Sequence, residues 1–316
     1  MKSKTTRIGL TILFVAILSA IWLSACTWEE VKVNMQLNPQ EGESYHIRIT
    51  SDQQITQTMD GEDTAIAQTM GFGCVLTITE VDADGNAWLD MVYDWVRIEQ
   101  DSEAGEFTYD SSDPSEETPE IAAGFAALLN KGFSMQMSPD GKILALRGID
   151  EMIDGMLEDL EIAEEQRETI KEQLGSQFNE ESLKEQFGQM VIAYPEGEVR
   201  LGDTWTASMK TSGSLPAIVS ATYTLKAYEN GIATVEVTST LEADPEAEAV
   251  DMGAYQMRYS LGGVQGGVIK VDIATGWSQS SIITQTMSGD VVFTVQDEEM
   301  RIPMAIFSVV KVEMTK

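Results

Sequence analysis

Phe133-Ser134-Met135-Gln136-Met137-Ser138-Pro139-Asp140-Gly141-Lys142 decides how this chain is read. Apolar residues at 133, 135 and 137 alternate with polar ones at 134, 136 and 138, the period of a strand with one face covered. Pro139-Asp140-Gly141 then supplies turn residues, and Lys142 to Arg147 returns as the second arm of a hairpin. The same pattern extends upstream through Ser44 to Met59, Ala65 to Val81 and Asn86 to Gln100, separated by Asp60-Gly61 and Asp84-Gly85-Asn86. These segments predict an antiparallel meander. Within Trp88 to Ile98, Asp90, Asp94 and Arg97 are interrupted by consecutive apolar residues, so that strand is expected either to bulge or to be covered on both faces.

Glu103 to Glu120 is acidic and rich in Ser, Asp and Pro, and reads as a loop; Ile121 to Leu129 then reads as a short apolar helix with Pro119 near its start. The period changes at Ile149. Ile149, Met152, Ile153, Met156, Leu157 and Leu160 make one helical stripe, with Asp150, Glu151, Asp154, Glu158 and Asp159 opposite. A second helix is expected from about Ala163 to Leu174, stopping at Gly175. A third is expected from Asn179, a good N-cap, to about Met190, with Leu183, Phe187 and Met190 inward. Strand character returns in Thr204–Lys210, Ala217–Tyr228, Ile232–Leu241, Gln256–Leu261, Gly267–Asp272, Gly276–Met287 and Met304–Met314. Turns are expected at Glu229-Asn230-Gly231, Ala274-Thr275-Gly276 and Ser288-Gly289-Asp290. Each half pairs a strand–turn–strand (Leu76 to Val92; Thr222 to Thr238) with a later hairpin (Phe133 to Arg147; Val268 to Thr284), which suggests a duplicated β unit.

The expected fold is therefore α+β and mainly antiparallel β. Two meandering, related units form curved sheets or an incomplete barrel, with a helical insert. The chain divides into residues 1–25 (signal), 26–42 (lipidated tether), 43–147 (N-terminal β-rich half with a short helix), 148–193 (helical insert) and 194–316 (C-terminal β-rich half).

The start of the chain carries an address. Lys2, Lys4 and Arg7 precede an apolar run of about 15 residues, Ile8 to Trp22, followed by Leu23-Ser24-Ala25-Cys26. Such a run falls short of the roughly 20 residues a membrane span needs. Small residues before a cysteine form a lipobox, in which the Cys26 thiolate accepts a diacylglycerol and cleavage leaves Cys26 as the lipidated N-terminus. An uncleaved anchor is the alternative reading. Two or more acyl chains make the attachment lasting, because each buried methylene contributes about 0.8 kcal/mol. Thr27 rather than Asp follows Cys26, which predicts sorting to the outer membrane of a two-membrane cell, or display on the surface of a one-membrane cell. Trp28 to Glu43 has no sustained period and reads as a spacer.

The formal charge of −32 includes the basic start, so the exported part is more acidic still and repels nucleic-acid phosphates and anionic head groups. About 290 residues without the signal suffice for one large or two modest domains with a substantial core. With Cys26 committed to lipid, Cys74 is left alone and the fold rests on its core rather than on a disulfide. Cys74 sits in a strand-like stretch, where a thiol behaves as a small hydrophobe.

Sites for chemistry are scarce. The single histidine, His46, lies in an alternating strand and reads as a sheet-surface residue; every Ser-His-Asp, Cys-His or histidine zinc arrangement would have to pass through it, and none is visible in the sequence. Asp82-Ala83-Asp84-Gly85-Asn86 lacks the spacing of a calcium loop and reads as a hairpin turn. Asp110 to Glu117 could attract cations weakly, but a solvated acidic loop is the plainer reading. No metal, cofactor or catalytic residue is expected, and the chain is expected not to be an enzyme. Met135, Met137, Met152, Met156 and Met190 fall on inward faces, where flexible thioethers suit either an ordinary core or a surface for varied apolar ligands.

Tyr194-Pro195-Glu196-Gly197-Glu198-Val199-Arg200-Leu201-Gly202-Asp203-Thr204-Trp205 and Gly266-Gly267-Val268-Ile269-Lys270-Val271-Asp272-Ile273-Ala274-Thr275-Gly276-Trp277, with the Ser138-Pro139-Asp140-Gly141 hairpin, resemble a family of bacterial lipoproteins known only as a domain of unknown function. The resemblance covers most of the chain beyond the signal. It implies Gly202 and Gly276 in turns and Trp205 and Trp277 in the core, and it implies no activity. Two readings of function follow. One is a non-enzymatic, membrane-anchored lipoprotein that binds a hydrophobic or lipid-like ligand between sheet and helices, with Met135, Met137, Met152, Met156 and Leu160 lining the pocket. The other is a surface or envelope module that binds a protein or polymer partner and has no internal cavity.

Overall fold

A computed structural model describes residues 32–59, 61–103, 105–113, 118–160, 164–180, 183–184, 187, 192–211, 216–247, 249–251, 255–296 and 298–316. The signal at 1–25, Cys26, Asp60, residues 114–117 of the acidic loop and Met190 lie outside the described residues. Residues 33–316 form one compact unit. No helix among the described residues is long and apolar enough to cross a membrane.

Two short strands, β1 (Lys32–Val33) and β8 (Val199–Arg200), stand outside the main sheet. That sheet has 13 strands among the described residues. They are β2 (Ser44–Met59), β3 (Glu62–Val81), β4 (Ala87–Ser102), β5 (Gly105–Asp110), β6 (Gly132–Met137), β7 (Ile143–Arg147), β9 (Thr204–Thr211), β10 (Ala217–Glu229), β11 (Ile232–Ala243), β12 (Val250–Asp251), β13 (Gln256–Asp272), β14 (Ser278–Val295) and β15 (Glu298–Thr315). Its order is β7-β6-β4-β3-β2-β15-β14-β13-β11-β10-β9, with β5 beside β4 and β12 beside β13. β7 and β9 are free edges, so the sheet is open.

Register exposes the duplication. β2-β3-β4-β6-β7 and β9-β10-β11-β13-β14 follow one plan, and β15 joins them by pairing with both β14 and β2. The hairpin β3–β4 bulges between Ile78 and Glu80, and β10–β11 bulges between Leu225 and Ala227. Later, β6–β7 slips between Gln136 and Met137, and β13–β14 slips between Lys270 and Val271. Bulges re-aim a strand at a fixed place, and here both units bend at matching positions.

Where β4 carries consecutive apolar residues, a bulge is the answer. Tyr93 pairs with Cys74 and Trp95 with Gly73, leaving Asp94 as the extra residue. Leu89 and Met91 are buried before it, and Val96 and Ile98 after it, so the inward phase changes from odd to even.

Several expectations are corrected. Residues 105–110, read as loop, form β5, whose Tyr109 packs with Val96 and Ile98. Gln256–Leu261 and Gly267–Asp272 are one strand, β13, continuous through Gly262-Gly263-Val264-Gln265-Gly266-Gly267. The glycines hide the alternation while permitting close approach: a Cβ on Gly267 would lie 2.0 Å from the Ile282 carbonyl oxygen, and one on Gly263 2.0 Å from that of Thr286. Ser288-Gly289-Asp290 lies inside β14 rather than at a turn. Val33, Met35 and Leu37, read as spacer, are buried at alternate positions and pack into the core.

Over the inner face of the first unit lie a single turn, α1 (Ala123–Ala126), and the helices α2 (Ile149–Asp159) and α3 (Glu164–Gln177). α2 buries Met152, Ile153, Met156 and Leu157, as its stripe dictates. α3 runs on past Gly175, which therefore does not cap it. It is held to α2 by Arg167, whose Nη1 donates to the Leu157 carbonyl at 3.0 Å. Leu183 and Phe187 are buried beyond it.

Candidate functional site: an apolar cavity between sheet and helices

Alternation on β3, β4 and β6 sends Cys74, Leu76, Met91, Tyr93, Met135 and Met137 to the inner face. From above, Phe125, Leu128, Met156, Leu174, Phe178 and Phe187 descend from the helical layer. They do not meet fully, and a cavity of about 430 Å³ remains between them. That volume lies within the range of small-molecule sites, roughly 300–1,000 Å³. Of the pocket residues expected from sequence, Met135, Met137 and Met156 line it. Met152 and Leu160 belong to the same apolar cluster without lining the cavity.

The end of the cavity nearest the second unit was not anticipated from sequence. Ile192, Tyr194, Trp277 and Ser278 line it. The Tyr194 hydroxyl donates to the Gly276 carbonyl at 2.8 Å, fixing the Asp272–Gly276 turn that carries Trp277. Gly276 has φ +78, a conformation glycine adopts readily. Trp277 is 5 % exposed and lies 5.8 Å from the Tyr45 ring, at 50°. Its indole N–H meets no acceptor among the described residues. Trp205, the other expected core tryptophan, is half-buried; it stacks on Tyr223 and donates its N–H to the Ala193 carbonyl at 2.6 Å.

A second cavity, of about 470 Å³, lies on the inner face of the second unit, between Met209, Val219, Leu241, Leu261 and Met287. Ile49, Ile192, Ser278 and Val312 line both cavities. None of the described residues lining either one is charged.

Groups that could do chemistry are otherwise engaged. Burial pushes the Cys74 thiol up to about 12, with the Asp94 carboxylate adding to the shift, so it stays protonated. His46 is exposed, 3.8 Å from Asp94, and Asp94 is held by Arg48 at 2.6 Å. The Asp82 carboxylate is occupied as a turn acceptor, taking the N–H groups of Asp84 and Asn86 and the Asn86 side-chain amide, each at 2.9 Å. No cluster of three metal-ligating side chains occurs among the described residues.

Fold and cavity together define a class: an open antiparallel sheet of two related units, with helices laid over an apolar hollow. Within that class the chain belongs to a family of unknown function, DUF6263, whose sequence model matches residues 84–278. The match contains the Ser138–Gly141 hairpin and both motifs at 194–205 and 266–277. No curated protein matches the chain. Among solved structures, a lipovitellin described under "lipid-protein interactions in lipovitellin" is 10% identical with a TM-score of 0.44, the match covering 88% of this chain and 25% of that one. The chain thus spans a quarter of the lipovitellin it matches. The translocator domain of the autotransporter NalP from Neisseria meningitidis is 7% identical with a TM-score of 0.21, covering 96% of this chain and 97% of that one.

Proposed function

We propose that this chain is a lipid-anchored, extracytoplasmic lipoprotein that holds a hydrophobic, lipid-like molecule between sheet and helices and catalyses no reaction. The observation that carries the reading is the cavity itself, a hollow of about 430 Å³ lined by methionine, leucine and aromatic side chains under a helical layer. A core built only for stability packs to high density, because every void forfeits dispersion contacts. The methionines fit the reading, since thioether side chains repack around varied apolar shapes. The address rests on the lipobox ending at Cys26.

Native mass spectrometry of the protein purified from its membrane tests the ligand. A copurified apolar adduct is expected, lost when Met156→Trp fills the hollow. An adduct-free protein that also fails to take up any apolar probe overturns the reading and leaves the surface-module alternative. Cys26→Ser tests the address: the variant should leave the membrane fraction, and a full-size product still sedimenting with membranes contradicts it.

A further inference from the structure

Tyr93 puts a hydroxyl on the wall of the first hollow that the protein itself does not use. Its side chain leaves β4 on the inner face, opposite Cys74, and lines the cavity. The hydroxyl has no hydrogen-bond partner among the described residues. The fully enclosed side-chain atoms without a partner there are Arg97 Nε and Trp277 Nε1; the Tyr93 oxygen is not one of them, so it keeps accessible surface. That surface belongs to the hollow rather than to the outside: the phenol lies deep enough for burial to push its pKa above the ordinary tyrosine range, with Cys74 adding to the shift. Other polar groups on the wall are spent or sealed, the Tyr194 hydroxyl on the Gly276 carbonyl and the Trp277 N–H out of reach. A buried tyrosine hydroxyl is ordinarily paired, and unlike serine it cannot turn back onto its own backbone. Ser278 has that local option, and it stands on β14, four strand spacings or ~19 Å across the sheet. A water at the phenol would need two to four polar partners, and the neighbouring inner-face side chains, Phe72, Cys74 and Met91, offer only a thiol.

We propose that Tyr93 selects the guest: its hydroxyl donates to the carbonyl oxygen of an acyl lipid whose chain fills the first hollow. This rests on the ligand-binding reading above and adds the polar contact and the chemical class to it. A carbonyl or carboxylate oxygen only accepts, so it meets the phenol without bringing a hydrogen that needs a partner of its own. A fatty alcohol, whichever way it paired, would leave one hydrogen unmet, and a plain hydrocarbon would leave the phenol unpaired. Ester and carboxylate share the acceptor oxygen, and the probes below tell them apart.

The test uses full-length protein in detergent, stripped of copurified lipid. Methyl palmitate, palmitate at pH 8 and hexadecane are compared by native mass spectrometry and by heat stabilisation. Tyr93→Phe, which removes only the hydroxyl, should weaken the acyl probes about three- to tenfold and should not weaken hexadecane. A loss for both acyl probes keeps ester and acid in the class, and a loss for one alone names that one. Because the hydroxyl bonds nothing in the protein, the empty variant should melt no lower than the parent. With each acyl probe labelled at its carbonyl carbon, the infrared band of the affected probe should stand at lower frequency in the parent than in Tyr93→Phe. No loss for either acyl probe, an equal loss for all three probes, an empty variant that melts lower, or a band that does not move each overturns the inference while ligand binding stands. Failure of all three probes on the parent protein, hexadecane included, removes the ligand-binding reading and this one with it.

Discussion

Ile78 and Leu225 hold the same station in the two β units. The Ile78 N–H donates to the Glu43 carbonyl at 2.9 Å and its own carbonyl accepts the Gly42 N–H at 2.8 Å. The Leu225 N–H donates to the Asp203 carbonyl at 3.1 Å and its carbonyl accepts the Gly202 N–H at 2.8 Å. Both side chains are fully buried, and a bulge follows each. Each residue thus ties the glycine turn that opens its unit to the bend of its second strand. Ile78→Ala and Leu225→Ala should each cost about 2–5 kcal/mol in urea unfolding. A loss under about 1 kcal/mol at either position contradicts the equivalence, since a fully buried Ile or Leu contributes more than that.

Gly266 and Gly267 are neighbours with opposite expectations. A Cβ on Gly267 meets the Ile282 carbonyl at 2.0 Å, whereas one on Gly266 finds the Val237 carbonyl at an ordinary 3.5 Å. Gly267→Val should therefore destabilise by about 1–3 kcal/mol or more, through forced backbone shifts. Gly266→Val should stay within about 1 kcal/mol of the parent, the span of strand propensity. Thermal unfolding of the pair, followed by circular dichroism, distinguishes them; equal losses would mean that β13 and β14 are not packed so closely.

Lys210 and Asp244 supply an acid-side dependence. Lys210 Nζ donates to Asp244 at 2.8 Å and holds that carboxyl below the usual carboxylate range, helped by the Glu246 N–H. A carboxyl with a lowered folded pKa adds stability that is present above its unfolded value and is lost as pH falls through the folded one. Lys210→Met should lower the melting temperature at pH 7, and the gap to the parent should close as pH drops below 3.8 towards 2. A gap constant across that window contradicts the pairing.

Cys74 should resist labelling. With burial raising its thiol to about 12, almost no thiolate exists at pH 8. Iodoacetamide should modify the folded protein far more slowly than the guanidinium-unfolded chain, and the folded rate should keep climbing with pH beyond 10. A rate that saturates near pH 9 would show an ordinary, accessible thiol.

How much of this was legible in the sequence follows from where side chains carry the signal. Period-two alternation marks one-sided burial, and it located the hairpins at Asp84-Gly85, Asn230-Gly231 and Ser138–Gly141 and the helix stripe from Ile149. It fails where side chains are absent or polar. Gly262 to Gly267 looked like a break because glycine has nothing to alternate, although the backbone runs on. Gly105–Asp110 looked like loop because only Phe107 and Tyr109 mark its face. Met135, Met137 and Met156 could be placed at the cavity because both periods pointed them inward. Trp277 could not be assigned its unpaired N–H, since that depends on residues far away in sequence packing around the Asp272–Gly276 turn.

The pairing of β2 with β15, Met304 opposite Gln57 through to Thr315 opposite His46, governs how the molecule must be made. A nascent chain synthesised as far as β14 has both units in outline and nothing to zip them, so β2 and β14 each present a long unsatisfied edge to the surroundings. Until residues 298–315 emerge, such a chain is a candidate for off-pathway stacking with its own copies. A holding chaperone along the synthesis route would matter more for this protein than for one whose neighbouring strands are all neighbours in sequence.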